Sequence, residues 1–210
     1  MRRRTATAVV AVLTLAGVTG CGDGKPRPAA TASTAPSPTG SPIVAGPPWY
    51  DEVAPVEAAT EIGGKASPCP MGIIFSIPAK WRAEAVTAGR DAAIGDAVPM
   101  CEIDAKPAGH LGFLRVWDAD AGLSQQYTMD KFLDAYGDAT ERQYRRTKAG
   151  PLDAFEASFL GPNGTRERAL LVSTIWGRYL LTLGGADDEE HLAMLPAYQL
   201  AKGTAKNNRE

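Results

Sequence analysis

Apolar side chains first alternate with regularity at Ile73, Phe75 and Ile77, and Pro78 ends the run. A repeat of two is that of a strand, and proline cannot donate to a ladder. Trp81–Val86, Met100–Ala105 and Leu111–Trp117 are further strand candidates, the last two separated by a Lys106-Pro107-Ala108-Gly109 turn. The period then changes. Met129, Phe132, Leu133 and Tyr136 recur at helical spacing, with Thr128 as the expected N-cap and Gly137 as the stop. Strand patterns resume over Gln143–Lys148 and Asp153–Leu160, and Gly161-Pro162-Asn163-Gly164 reads as a turn. Arg168–Ile175 and Tyr179–Leu183 form an expected hairpin around Trp176-Gly177-Arg178, bulky enough for central strands. Asp187–Ala201 is the final helix, opened by Asp187 and Glu190 at capping-box spacing. Pro196 lacks an amide hydrogen and is expected to kink that helix or start a second. Strands joined by short turns, interleaved with helices, predict an α+β fold with an antiparallel sheet flanked by helices.

The first residues follow a different pattern. Three arginines precede an apolar run from Ala6 to Val18. A membrane-spanning helix needs about 20 apolar residues, so this shorter run suits a signal peptide. It closes on Val18-Thr19-Gly20-Cys21, which resembles a lipobox. Residues 1–20 are therefore expected to be a lipoprotein signal peptide, favouring the general secretory route. Cys21 is expected to carry a diacylglyceryl group with palmitate-like chains. Two chains hold a protein on a membrane where one holds it only marginally. The expected address is the outer face of the cytoplasmic membrane.

Residues 21–57 comprise the lipidated cysteine and a Pro-, Ala-, Ser- and Thr-rich stretch with too few large apolar groups to offset ordering. They read as a disordered linker. Trp49 and Tyr50 end that composition, either docking back on the domain or meeting a partner. Residues 58–206 are long enough for one domain with a real core.

Two cysteines remain besides Cys21. In an oxidising compartment Cys69 and Cys101 are expected to form a disulfide contributing about 3–4 kcal/mol, the alternative being two buried thiols. Without the three leader arginines, 19 of the 22 basic residues face 24 acids, a net charge of −5 with His neutral. That balance argues against nucleic-acid binding, which needs basic surface.

Candidate chemistry is sparse. His110 follows a turn, and His191 sits among acids at a helix start, where a solvated cap is the plainer reading than a metal ligand. Asp118-Ala119-Asp120-Ala121-Gly122 lacks the later ligands of a calcium loop. No Gly-x-Ser-x-Gly, Ser-x-x-Lys, His-Glu-x-x-His or phosphate-cradling glycine motif occurs in the sequence. No catalytic residue, cofactor or metal is expected. Arg142, Arg145, Arg146 and Lys148, with Arg166 and Arg168 on a later segment, are the candidate patch for an anionic ligand, against the plainer reading of a solvated strand face.

Phe75-Ser76-Ile77-Pro78 followed by Trp81 resembles the opening of PsbP-like domains, as does Ala149-Gly150-Pro151-Leu152-Asp153-Ala154 leading into a strand, a long hairpin and a terminal helix. With the lipobox, the chain is similar to actinobacterial LpqN-type lipoproteins over roughly Gly72–Lys202. The resemblance implies an antiparallel sheet flanked by helices and a binding or assembly module, and it carries over no site residue. The leading functional expectation is a non-enzymatic envelope lipoprotein binding an envelope or extracellular partner, most readily a protein. The alternative is a carrier of a small apolar or lipid ligand, and an enzyme acting on wall material is the weakest of the three.

Overall fold

A computed structural model describes residues 47–209. The expected signal peptide, Cys21 and most of the linker lie outside the described residues. No described helix is long and apolar enough to cross a membrane.

Ten strands and two helices follow in the order β1 (Thr60–Ile62), β2 (Ile73–Ile77), β3 (Arg82–Ala85), β4 (Val98–Asp104), β5 (Phe113–Ala119), α1 (Gln125–Tyr136), β6 (Thr140–Ala149), β7 (Leu152–Leu160), β8 (Arg166–Thr174), β9 (Gly177–Gly184), α2 (Asp188–Thr204) and β10 (Lys206–Asn207). Seven strands form one sheet in the order β3-β4-β5-β9-β8-β7-β6. Every neighbouring pair in it is antiparallel. The remaining three form a small sheet, β1-β2-β10, with β2 in the middle. The architecture is the expected α+β layout.

The period-two repeat splits the large sheet into two faces, each with its own core. Leu114, Val116, Leu170, Val172, Leu181 and Leu183 face one way, and Leu195, Tyr198 and Ala201 of α2 and Ile73, Phe75 and Ile77 of β2 join them. Trp117, Phe155, Phe159, Leu171 and Leu180 face the other way, under Met129, Phe132 and Leu133 of α1. The sheet is thus buried on both sides, which is why β8 reads as a continuous apolar run rather than an alternating one.

Cys69 and Cys101 are joined by a disulfide, with Cα atoms 5.8 Å apart, which pins the approach to β2 against β4 in the large sheet. Both are buried.

One local expectation changes and another narrows. The N-cap of α1 is Ser124, whose hydroxyl accepts from the Tyr127 amide at 3.1 Å. Thr128 lies one turn inside, where its hydroxyl donates to the Ser124 carbonyl at 3.1 Å. Pro196 sits within one continuous helix. The interior of a helix already held between a sheet and a second sheet tolerates the lost bond, because packing rather than propensity carries most helical stability. The partners of β2 are β1 and β10, which bring together residues far apart in sequence, Thr60 with Ile77 and Lys206 with Ile74.

Candidate functional site

The α2 face of the large sheet is apolar except at one place. Glu156 on β7 and Arg168 on β8 share that face, and both are wholly buried. Arg145 on β6 lies directly opposite Glu156 in register. From above, α2 supplies Tyr198 and Lys202, four residues apart on one helical face. Each oxygen of Glu156 is saturated. Oε1 accepts from Tyr198 Oη at 2.5 Å and Arg168 Nη1 at 3.3 Å. Oε2 accepts from Arg145 Nε at 2.8 Å, Arg145 Nη2 at 2.6 Å and Lys202 Nζ at 2.8 Å.

Residues 47–51 complete the cluster. The Trp49 ring is buried against Arg145, whose guanidinium carbon lies 4.2 Å from the ring centroid. Arg168 Nη2 donates to the Pro48 carbonyl at 2.6 Å and also to the Trp49 carbonyl. Asp51 takes Arg145 in a two-pronged pair, one prong at 2.7 Å. Three cations thus meet two carboxylates under a tryptophan. Burial by itself raises the Glu156 carboxyl, but Lys202 and Arg145 outweigh it and hold the group below its ordinary range. Asp51 is lowered in the same way, burial being outweighed by Arg145 and Lys202. Both carboxylates stay ionised at neutral pH.

A pocket of about 380 Å³ adjoins this cluster, lined by Pro47, Pro48, Tyr50, Gln143, Arg166, Asp188, His191 and Leu192. Three structural units supply it: the 47–50 segment, strands β6 and β8 of the large sheet, and the first turns of α2. His191 is 1% exposed, and neither ring nitrogen has a hydrogen-bond partner. Burial, then Arg168 and Arg166, push its pKa down to about 4, with Asp188 acting the other way. The ring is neutral at pH 7. Arg166 donates from its amide to Asp188 Oδ1 at 2.8 Å and from Nη2 to Glu141 Oε2 at 3.0 Å, while its buried Nη1 has no partner. Buried polar groups are nearly always satisfied, so orphans gathered at one pocket mark a place where something else can bind.

The six basic residues read from the sequence as one patch are dispersed. Arg145 and Arg168 are drawn into the buried cluster. Arg142 pairs with Asp134 at 2.6 Å, Lys148 with Asp153 at 2.6 Å and Arg166 with Glu141 at 3.0 Å. Arg146 is exposed, opposite Phe155 in register. Alternation along β6 sends Arg145 and Arg146 to opposite faces, and acids on α1, β7 and β6 pair with Arg142, Lys148 and Arg166. His110 lies beside Trp81, with ring centroids 6.4 Å apart. Asp120 caps its own turn, accepting from the Gly122 amide at 2.7 Å. Among the described residues no cluster of three or more potential metal ligands occurs. Asp51, Glu156, Tyr198 and Lys202 were not singled out in the sequence. Glu156 was detectable, as a lone charge inside the apolar run Phe155–Leu160. Asp51 carried no signal at all.

Residues 39–205 match the model of a family described as uncharacterised lipoprotein. The chain belongs to that lipoprotein family. No curated protein matches its sequence. Among solved structures it is similar to cyanobacterial PsbP (CyanoP) from Synechocystis sp. PCC 6803, at 10% identity and a TM-score of 0.48, over 82% of this chain and 100% of that one. It is also similar to LpqN, involved in cell envelope biogenesis of Mycobacterium tuberculosis, at 12% identity and a TM-score of 0.37, over 70% of this chain and 88% of that one.

Proposed function

We propose that this family member is a non-enzymatic binding module of the cell envelope, tethered by lipid on Cys21 to the outer face of the cytoplasmic membrane. Membership of a lipoprotein family and the Val18-Thr19-Gly20-Cys21 sequence support the tether. The pocket beside α2 supports the binding role, and its buried, unpartnered His191 is the observation that carries it. The pocket wall mixes Arg166, Asp188 and Gln143 with Pro47, Pro48 and Leu192, which favours a ligand with a polar head over a purely apolar cargo. Residues 47–51 are the last stretch before the fold on the tether side, and they both wall the pocket and cover the charged cluster. Ligand occupancy and the seating of that segment are therefore coupled.

Two measurements test this. Mass spectrometry of the native product should find diacylglyceryl on Cys21, and Cys21→Ala should move the protein from the detergent phase into the medium. A bare thiol on a protein that washes off without detergent removes the tether. Screening small molecules by NMR on the complete mature chain should give saturable shifts at residues 47–50, 166 and 188–192. Shifts that cluster elsewhere would move the binding site.

A further inference from the structure

We propose that the pocket takes a small monocarboxylate, its carboxylate gripped by Arg166 and His191 and its body resting on Pro47, Pro48, Tyr50 and Leu192. This rests on the pocket being the binding site. The class of ligand follows from which atoms lack partners. A guanidinium nitrogen only donates, so whatever satisfies Arg166 Nη1 must present an acceptor oxygen. Neutral imidazole offers one N–H beside one lone pair, and the N–H can serve the same ligand group. Arg166 on β8 and His191 on α2 both line the pocket, and two donors suit the two oxygens of a carboxylate; a bond from a guanidinium to a carboxylate is about twice as strong as a neutral one.

The field at the pocket floor points the same way. Arg168 and Arg166 both act on His191 to disfavour its protonation, so the potential there is positive. An anion placed against the ring offsets these cations. The rim sets the opposite condition. Asp188 is exposed at the mouth and Glu141 pairs with Arg166, so a dianion meets two carboxylates while a monoanion with its charge inward avoids Asp188. That excludes phosphate as the preferred head group. The apolar wall then accounts for the other end of the ligand. About 380 Å³ lies at the low end of small-molecule sites, which run about 300–1,000 Å³.

The chain has two histidines, His110 and His191, so ring signals report the pocket with an internal control. Benzoate, benzamide and inorganic phosphate are titrated in turn into the complete mature chain, and the histidine ring resonances are followed. Benzoate is expected to shift His191 saturably, leave His110 in place, and outcompete phosphate, while benzamide does nothing. Arg166→Gln is expected to weaken benzoate about tenfold or more, the loss of one bond to a charged group. Equal shifts from benzamide, preference for phosphate, or full benzoate binding by Arg166→Gln would overturn the carboxylate assignment and leave the pocket as a binding site. Silence at His191 with all three probes, in a chain whose spectrum shows it folded, would overturn both.

Discussion

Replacing Glu156 by Gln removes one negative charge from the middle of the sheet and leaves Arg145, Arg168 and Lys202 facing Asp51 alone. The side chain keeps its shape, so the loss is electrostatic. Asp51 pairs directly with Arg145, but it lies 3.8 Å from Lys202 and makes no contact with Arg168. Arg168 is wholly buried and would keep only the Pro48 and Trp49 carbonyls. Removing one partner of a buried ion pair costs about 3–5 kcal/mol, because the other charge stays desolvated. In a domain of this size each kcal/mol lowers Tm by about 2–4 °C, so Glu156→Gln should melt roughly 6–20 °C below the parent. Removing both partners has a different outcome. Glu156→Met with Arg168→Met takes away one charge of each sign and leaves the two-pronged Asp51–Arg145 pair. Buried pairs replaced by apolar groups are often neutral or better, so the double variant should recover most of the loss. Urea and thermal unfolding followed by circular dichroism measure both, and high salt should change neither much, since buried charges are poorly screened. A Glu156→Gln protein within about 1 kcal/mol of the parent, or a double variant as unstable as the sum of its singles, would refute this account.

Three further outcomes follow from the same structure. His191 titrates at about 4 when folded, against about 6.5 in the unfolded chain. Between those values the unfolded state binds more protons, so stability rises with pH, is complete above about 6.5 and is about 3 kcal/mol lower below about 4. Burial of the ring is the main cause, with Arg168 and Arg166 of β8 adding to it and Asp188 of α2 opposing it. His191→Gln should flatten the pH dependence of urea midpoints in this window, and an unchanged slope would count against the assignment. Breaking the Cys69–Cys101 disulfide closes off a constraint on a loop with a sequence separation of 32, worth about 3–4 kcal/mol in the chain-entropy model. Cys69→Ala with Cys101→Ala should lower the urea midpoint accordingly, whereas free thiols titrating in the denatured, unreduced parent would sink the premise. Gly63 has φ +102°, and a Cβ there would run into the Ile73 carbonyl. Gly63→Ala should destabilise by about 1–3 kcal/mol and loosen β1 and β10 first, read by amide exchange, and a neutral effect would show that the backbone there yields freely.

The candidate site was less legible in the sequence than the fold, and its residues show why. Arg145 and Arg146 are adjacent and chemically alike, yet pairing with β7 draws one into the charged cluster around Glu156 and leaves the other in water. Arg168 looked like a surface charge, but the apolar run that follows it places its whole strand under α2. His191 follows four acids and reads as part of a wet helix cap. Asp188, one turn before it, is exposed at the pocket, while the His191 ring is buried, and only the packing of α2 separates the two.

What the sequence determined by itself is what local chemistry can state. Strand and helix periods, the turns at Gly161–Gly164 and Gly177 and the Asp187 cap all depend on residues within a turn or two of each other. Even the disulfide follows from compartment and number. Only the tertiary structure decided the partners of β2, the union of Asp51 with Arg145, and the gathering of Glu156, Arg168, Tyr198 and Lys202. Those meetings join positions up to 151 residues apart, as between Asp51 and Lys202. They depend on strand order and on which face each side chain takes, and a shift of one residue in register reverses every such face.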